Sequence, residues 1–213
     1  MKPTIITIGN GGYNIAADII ASGIISDYKL VVCDTDPEDL ARNSANADCS
    51  FLLDNAVEIC HPKYYHLVEP IVNEITDIYY LVAALGGKTS YAFVPAIAHK
   101  ADFGYFSWQI LSTPADFESE IVKERARHTI NYLLSVGDMK LIQDNNKLSS
   151  IPNLELAEMN KPIVETLVSA SKIDIRKIIR QKDYYDELIP EPYQDTISLW
   201  KTFFKYPREK DRN

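Results

Sequence analysis

Short apolar runs rich in β-branched residues alternate with longer segments whose apolar positions recur at helical spacing. The short runs predict strands over Thr4 to Ile8, Lys29 to Cys33, Asp48 to Asp54, Ile78 to Ala84, Tyr105 to Leu111 and Met139 to Gln143. The longer segments predict helices over Asn14 to Ser22, Pro62 to Ile75, Thr89 to Ala101, Asp116 to Leu134 and Leu154 to Ala170, with a short one opening at Pro37. This alternation favours an α/β fold with a doubly wound, mostly parallel, Rossmann-like sheet.

Two glycine-rich turns each connect a predicted strand to the helix that follows it. The first turn is Gly9-Asn10-Gly11-Gly12 and the second is Gly86-Gly87-Lys88-Thr89-Ser90. In a parallel sheet both turns fall at the edge where the strands end, so backbone N–H groups and two helix N-termini face one crevice there. Asp34 follows the second strand at the same edge. The sequence therefore predicts a site for a polyphosphate between the two turns.

The chain of 213 residues is long enough to bury a substantial core, and its composition changes near Ile173. We expect one main domain, residues 1–178. We also expect a C-terminal extension, residues 179–213, that docks on this domain or stays partly extended. The basic residues from Arg176 to Lys182 fit a solvated helix face better than a binding patch.

Charge and cysteine usage exclude several functional classes. The net charge is −8 and no basic run is interleaved with aromatic residues, so nucleic acid is not an expected partner. Cys33, Cys49 and Cys60 lack the spacing of a zinc site, which favours free thiols in a reducing cytosol. No stretch is long and apolar enough for a membrane span, and we expect a cytoplasmic protein.

The sequence contains no evident active site outside the turns. Metal-ligand spacing is missing among the histidines, which are His61, His66, His99 and His128. His99 lies in an apolar helix, where a hydrogen-bonded structural histidine is the commoner case. No Gly-x-Ser-x-Gly nucleophile turn is present, and no cysteine lies in a recognisable nucleophile setting. We therefore predict no catalytic residue and no metal ligand.

The glycine turns admit three interpretations, of which the first fails. A P-loop would use Gly87-Lys88-Thr89 as its end, but its first glycine would fall at Val82. A Rossmann dinucleotide site would use the first turn, with Asn14 in place of the third glycine and Asp34 as the ribose-binding acid. That second interpretation predicts an enzyme that uses NAD, and it leaves the second turn without a role.

The third interpretation accounts for both turns and for several later stretches. In chain order these are Ile8-Gly9-Asn10-Gly11-Gly12-Tyr13-Asn14, Asp34-Thr35-Asp36, Gly86-Gly87-Lys88-Thr89-Ser90, Pro114-Ala115-Asp116-Phe117-Glu118, Asp144-Asn145-Asn146-Lys147-Leu148 and Glu158-Met159-Asn160. Their order and spacing resemble the GTP-binding domain of the FtsZ/tubulin family from Thr4 to Ile178. In that family two glycine-rich loops bracket the phosphates.

The resemblance implies an FtsZ/tubulin-like domain that binds GTP or GDP, with Mg²⁺ if a triphosphate binds. Glu118 is placed like the glutamate that approaches the ribose, and Asn14 and Asn160 are placed to meet the base. The implied nucleotide-binding residues are Gly9, Asn10, Gly11, Gly12, Asn14, Asp34, Gly86, Gly87, Lys88, Thr89, Ser90, Pro114, Glu118 and Asn160.

This sequence departs from the family pattern in both halves of the implied site. Lys88 and Ser90 stand where the second loop has glycine, and Lys88 either pairs with a phosphate or fills the space of one. The family's base-stacking phenylalanine and base-reading aspartate fall at Ala157 and Lys161. The identity of the purine is therefore left open.

The resemblance also implies how a nucleotide would be hydrolysed. In the family, an Asn-x-Asp-x-x-Asp loop from the neighbouring subunit positions the attacking water. The corresponding stretch, Lys172 to Lys177, keeps one acid and has lysine at both ends, and lysine cannot accept a hydrogen bond from water. We expect weak or absent hydrolysis, no second family domain in the remaining tail, and self-association or contact with a related filament protein. The alternative is a pseudo-GTPase interaction module that modulates a filament or partner.

Overall fold

The computed structural model describes residues 2–55, 58–59, 64–102, 104–151, 155, 158–171 and 189–201. Its strands are β1 (Thr4–Ile8), β2 (Lys29–Asp34), β3 (Cys49–Leu52), β4 (Ile78–Ala84), β5 (Phe106–Ser112), β6 (Met139–Gln143) and β7 (Ile197–Lys201). Its α-helices are α1 (Gly9–Ala21), α2 (Pro37–Asn43), α3 (Tyr65–Asn73), α4 (Lys88–Ala101), α5 (Glu120–Leu133) and α6 (Lys161–Ser171).

The described strands form one sheet in the order β3-β2-β1-β4-β5-β6-β7. Neighbouring strands from β3 to β6 are parallel, and β7 runs antiparallel to β6 with Ile197 opposite Gln143. The predicted α/β fold with a doubly wound, mostly parallel sheet is confirmed. Because the strand order reverses between β1 and β4, the carboxyl ends of these two strands border a crevice, the usual ligand position in such a sheet.

Each face of the sheet carries a hydrophobic core. The cluster beneath α3, α4 and α5 includes Val68, Ile71, Phe93 and Ile97. The cluster beneath α1 and α6 includes Ile15, Ile19, Ile163 and Leu167. Within each helix these residues are three or four positions apart, which places them on one apolar stripe. Because helices cover both faces, β1 is buried at every position.

Helix α6 begins at Lys161 instead of the predicted Leu154, and α1 and α5 also begin several residues away from their predicted starts. α1 starts at Gly9 instead of Asn14, because Gly9 adopts φ +72° and turns the chain from β1 into the helix without a loop. α5 starts at Glu120 instead of Asp116, because the extended backbone of Ser119 ends the preceding loop there. The residues that resemble the family's ribose-contacting segment therefore lie in a loop and not in a helix.

The described end of the chain returns to the sheet as β7, a strand that the sequence analysis does not predict. Ile189, Tyr193 and Ile197 are buried and join the cluster beneath α6. Burial, together with a hydrogen bond to Glu165 of α6, raises the pKa of Tyr193 to about 12. The division into residues 1–178 and 179–213 stays a prediction, since residues 172–188 and 202–213 lie outside the described part.

Two cysteines and one histidine outside the glycine turns are explained by their place in the fold. Cys33 and Cys49 are free thiols, and burial raises the pKa of Cys33 far above its usual value. The hydroxyl of Tyr132 lies 2.9 Å from Nδ1 of His99, which fits the predicted structural histidine. The described residues do not include Cys60 and His61. Of the helices that the structure describes, none combines the length and apolarity that crossing a bilayer requires.

Candidate functional site

A pocket of about 580 Å³ lies where β1, β2, β4 and β5 end. Asn145, which follows β6, and Met159, which precedes α6, complete its wall. The residues that the sequence predicts for the site and that line this pocket are Gly9, Asn10, Gly11, Asp34, Gly87, Thr89, Ser90, Pro114 and Glu118. The structure thus brings the two glycine turns, the acid after β2 and the loop after β5 around one space.

Two helices begin at this pocket without a side-chain cap. The cap positions are Ile8 for α1 and Gly87 for α4. The hydrogen-bond ladder of α4 starts where the N–H of Tyr91 donates to the Gly87 carbonyl at 3.0 Å, so the earlier N–H groups of this helix have no helical acceptor. A Cβ atom placed on Gly9 would lie 4.0 Å from Cβ of Thr89, so the two helix starts are neighbours. N–H donors and the positive ends of two helix dipoles therefore act on one space, which favours an anion.

The loop after β2 is fixed at the pocket by hydrogen bonds. Oδ1 of Asp34 accepts the N–H of Thr35 at 2.7 Å and the N–H of Asp36 at 3.2 Å. The hydroxyl of Thr35 lies 2.6 Å from the hydroxyl of Thr89 and links this loop to the start of α4. Burial raises the pKa of Asp34, and the two N–H bonds oppose that rise without cancelling it. Because both bonds use Oδ1, Oδ2 is left to accept a bond from a ligand.

Asn10 is oriented by a buried neighbour on α2. Nδ2 of Asn43 donates to Oδ1 of Asn10 at 3.1 Å, and Asn43 is buried. Because its oxygen is engaged, the Asn10 side chain has its N–H groups left as donors at the pocket wall. This contact selects a donor role for Asn10, which suits a phosphate or another acceptor.

Some glycines of the turns allow close packing. A Cβ atom on Gly12 would lie 2.5 Å from the carbonyl oxygen of Val82, and one on Gly11 would lie 2.6 Å from a Cβ atom of β4. Gly86 adopts φ +99°, and a Cβ atom there would lie 2.7 Å from the carbonyl oxygen of Val122. Gly11 also lines the pocket, whereas Gly12 and Gly86 shape the turns from behind it.

Lys88, Asn14 and Asn160 lie outside the pocket lining. Lys88 is exposed, so its side chain does not fill the space between the turns. Nδ2 of Asn160 donates to Oδ2 of Asp18 at 2.7 Å and so connects the segment before α6 to α1. Asn14 is exposed one turn before Asp18. The contact of both asparagines with a base stays a prediction.

The resemblance places the base-stacking and base-reading positions at Ala157 and Lys161. Ala157 lies outside the described residues. The ammonium of Lys161 lies 3.0 Å from the Glu158 carboxylate, so it is paired within its own segment. Because lysine carries only hydrogen-bond donors, Lys161 does not replace the aspartate that reads the base in the family.

The structure adds pocket residues that the sequence analysis did not assign to the site. These include Thr35, Asp36, Asp39, Ser112, Thr113, Phe117, Asn145 and Met159. Most follow the end of β2, β5 or β6, so the ends of the predicted strands are the signal that would have found them. Buried Gln143 donates from Nε2 to Oδ1 of Asn145 at 2.9 Å and to the Met159 carbonyl at 3.1 Å, which holds two pocket segments together.

The side chains around the pocket are acidic. Carboxylates line it at Asp34, Asp36, Asp39 and Glu118, and none of its described lining residues is lysine or arginine. Among the residues that the structure describes, no three His, Cys, Asp or Glu side chains are grouped to hold a metal ion. A phosphate here would rely on backbone N–H groups and on a cation that it brings along.

The chain is similar to known proteins in sequence and in fold. No protein-family model matches it. It is 29% identical over 170 residues to cell division protein FtsZ of Mycoplasmopsis pulmonis (strain UAB CTIP), a match that covers 68% of this chain and 39% of that FtsZ. The fold is similar to the empty FtsZ dimer of M. jannaschii, with TM-score 0.63, 21% identity, and coverage of 87% of this chain and 59% of that one. The chain has the FtsZ/tubulin fold.

Other structures with the FtsZ/tubulin fold agree with this result. CetZ2 from Haloferax volcanii matches with TM-score 0.64 and 16% identity, over 84% of this chain and 62% of CetZ2. The tail-truncated TubZ of Clostridium botulinum phage c-st matches with TM-score 0.64 and 17% identity, over 96% of this chain and 76% of TubZ. The chain spans about two fifths of the length of the curated FtsZ that it matches. The stretch Lys172 to Lys177, implied as the hydrolysis loop, lies outside the described residues.

Proposed function

We propose that this chain binds a purine nucleotide, GTP or GDP, in the pocket between the two glycine turns. The observation that carries the proposal is the meeting of two uncapped helix N-termini, at Gly9 and Lys88, around one space. This arrangement suits a polyphosphate, because the N–H donors and dipoles of both helices act on the same anion. Relatives of this fold support the choice of nucleotide, since CetZ2 is a GTPγS-bound protofilament and CetZ1 a GDP-bound monomer.

The pocket residues divide between the parts of such a nucleotide. The two turns and the N–H groups of Asn10 would hold the phosphates, and Glu118 would accept hydrogen bonds from the ribose hydroxyls. The base would extend along α1 towards Asn14 and Asn160. The link between Asn160 and Asp18 engages the amide nitrogen and leaves Oδ1 of Asn160 as an acceptor for a purine N–H group.

Mg²⁺ would accompany a triphosphate in this pocket. The acidic wall repels a bare polyphosphate, and a divalent cation on the phosphate oxygens reverses that repulsion. Mg²⁺ in proteins commonly binds one or two carboxylates together with substrate phosphates and water. Asp36 and Asp39, which line the pocket, are the carboxylates that suit this role.

Gly87 offers a direct test of nucleotide binding. Its φ of −65° is accessible to any L-residue, and a Cβ atom there has only Oγ of Ser90 nearby, at 3.7 Å. Gly87→Val should therefore fold normally and place methyl groups in the pocket. The matched control is Gly104→Val, since a Cβ atom on Gly104 meets nothing within 4 Å.

Titration calorimetry of GTP, GDP, ATP and NAD against these variants measures the effect. We expect GTP and GDP to bind the wild-type chain, Gly87→Val to weaken binding at least ~10-fold, about 1.4 kcal/mol, and Gly104→Val to leave it unchanged. Binding of NAD alone would favour the Rossmann interpretation. Absence of heat with every nucleotide would refute the proposal and favour the alternative, a pseudo-GTPase that acts as an interaction module.

We further propose that this chain hydrolyses GTP weakly or not at all. The lysines at positions 172 and 177 support this, because a lysine cannot orient an attacking water as an acceptor. Phosphate release is the measurement, and we expect a rate close to that of the protein-free control. Turnover that rises steeply with protein concentration would contradict the proposal, because it would indicate a catalytic loop supplied by a second copy.

Self-association or contact with a related filament protein is proposed for the surface beside the pocket. Phe117 is 89% exposed and Ile121 is 56% exposed, and both lie on the loop and first turn that border the nucleotide pocket. An exposed apolar pair of this kind favours a protein contact. Sedimentation with and without GTP separates a nucleotide-dependent assembly from an inert module that stays in the supernatant under both conditions.

A further inference from the structure

A second pocket, of about 480 Å³, lies between α5 and the border formed by β6 and β7. It shares Thr113 and Pro114 with the nucleotide pocket and is otherwise separate from it. Its size falls in the range of small-molecule sites. Apart from Pro114, none of the residues that the nucleotide proposal needs lines the second pocket. A ligand bound there would therefore contact a different set of side chains.

The floor of the second pocket is apolar. Ala126 and Ile142 are buried, and Ile130, one turn after Ala126 on α5, is half-buried beside them. Ser198 of β7 closes the outer side. Such a floor favours the apolar body of a ligand over an ion or a sugar, because apolar surface leaves water when the ligand binds.

The wall contributed by α5 carries two cations one turn apart. Lys123 and Arg127 both line the pocket, and the guanidinium side chain of Arg127 is 68% exposed. Nη2 of Arg127 lies 3.8 Å from Oε2 of Glu120, which is beyond hydrogen-bond distance. Arg127 therefore has donors to spare for a carboxylate, which its planar fork recognises well.

Two carboxylates also line this pocket, and their contacts differ. Asp144 is turned to its own loop, where it accepts the N–H of Asn146 at 3.0 Å and lies 3.8 Å from the ammonium of Lys147. Glu120 lies 2.6 Å from the ammonium of Lys123, and its side chain is 79% exposed. An exposed pair of this kind contributes little, so an incoming carboxylate can take the place of Glu120.

We propose that the second pocket binds a small organic carboxylate with an apolar ring or chain. The carboxylate of the ligand replaces Glu120 at Lys123 and Arg127, and its apolar part packs on Ala126, Ile130 and Ile142. The proposal does not depend on the nucleotide pocket, and its test is made without nucleotide. Its failure would therefore leave the proposed nucleotide function untouched.

The test uses 2-naphthoate as the probe and 2-naphthamide as its uncharged counterpart, with binding followed by ligand-observed NMR and calorimetry on the full chain. Arg127→Gln should weaken naphthoate binding by about 10-fold, as expected for one charge-assisted hydrogen bond. Glu120→Gln should strengthen it, because the competing carboxylate is gone. Arg125→Gln is the matched control. Arg125 lies on the same helix, but its guanidinium is 6.0 Å from the Tyr91 ring and the residue does not line the second pocket.

A second variant tests the apolar part of the site. Ser198→Phe fills the outer side of the pocket from a strand position that accepts aromatic residues, and it should abolish binding of both probes. Arg127 and Glu120 are exposed, so their substitution should leave the fold intact, and circular dichroism checks each variant. Equal affinity for naphthoate and naphthamide would overturn the proposal. Unchanged naphthoate affinity in both Arg127→Gln and Glu120→Gln would overturn it as well.

Discussion

Neighbouring glycines in the second turn have different physical reasons for being glycine. Gly86 needs a positive φ and leaves no room for a side chain beside Val122, whereas Gly87 has ordinary backbone angles and faces open space at the pocket. Only the second could exchange its hydrogen for a side chain without strain. The sequence shows two equivalent glycines, so this division of roles could be read only from the structure.

The carboxyl group of Asp34 links burial to the pH dependence of stability. Its raised pKa means that its contribution to folding is complete below the unfolded value, near 3.8, and is lost as pH rises through the folded pKa. Asp34→Asn should therefore stabilise the chain at pH 7, with a gain that fades towards pH 3.8. Urea unfolding across this pH range measures it.

A matched control for Asp34→Asn is Asp36→Asn, which removes a charge from the same loop. Oδ1 of Asp36 caps α2 by accepting the N–H of Glu38 at 2.8 Å, and asparagine caps helices as well as aspartate does. A loss of stability in Asp34→Asn at pH 7 would show that the charged form is better solvated than its burial indicates.

The position of the two glycine turns in the candidate site could be predicted from the sequence. Glycine turns after apolar strands have a fixed place in a parallel sheet, so Gly9 and Gly87 could be assigned to one edge. Side-chain contacts across the pocket could not be assigned, because they join residues distant in the chain. The bond between Thr35 and Thr89 and the orientation of Asn10 by Asn43 are examples.

At the scale of elements, an ion pair connects β2, β3 and the end of α3. It lies at the amino ends of the strands, away from the pocket. Glu74 accepts hydrogen bonds from the Lys29 ammonium and from Sγ of Cys49, the latter at 3.4 Å. The Lys29 hydrogen bond is the main reason that the pKa of Glu74 is lowered, and the Cys49 bond adds to it. The three elements therefore share one carboxylate.

Glu74→Gln tests this connection. A lowered pKa contributes stability above the unfolded value, near 4.5, and that stability is lost as pH falls through the folded pKa. We expect a loss of about 0.5–1 kcal/mol at pH 7, in line with a partly exposed pair, and no difference from wild type in acid. Glu69→Gln, on an exposed position of α3, is the control in thermal unfolding at both pH values.

The predicted strands were most accurate where the apolar run was continuous and bounded by polar residues. The bounds of β1, β4 and β6 agree with the sequence prediction. β7 was not predicted, because Ile197–Lys201 pairs with a strand far back in the chain and only this pairing makes the segment a strand. The sequence pattern predicts a loop for the first turn of α1, because glycine usually opposes helix formation.

At the scale of the whole molecule, Tyr193 joins the C-terminal segment to the domain. It is 4% exposed and packs in the cluster beneath α6. Tyr193→Ala should cost about 3 kcal/mol of the free energy of unfolding, as for other large buried aromatics. Tyr193→Phe keeps the packing, loses the bond to Glu165, and should cost about 1 kcal/mol.

Fluorescence can show whether this loss is shared by the whole domain. The chain has two tryptophans, Trp108 in β5 and Trp200 in β7, so Trp108→Phe leaves a single reporter on β7. We expect its urea transition to coincide with that of the circular dichroism signal. A separate, earlier transition of Trp200 would contradict a single cooperative unit.

The position of β7 at the border of the sheet has a consequence for biosynthesis. This strand is the last of the described seven to leave the ribosome, and until it arrives β6 presents unpaired peptide groups to solvent. The parallel part of the sheet can assemble while translation continues. A nascent chain stalled before Ile197 would therefore expose the edge of β6 and recruit chaperones or aggregate, whereas in a chain that includes Lys201 this edge is paired with β7.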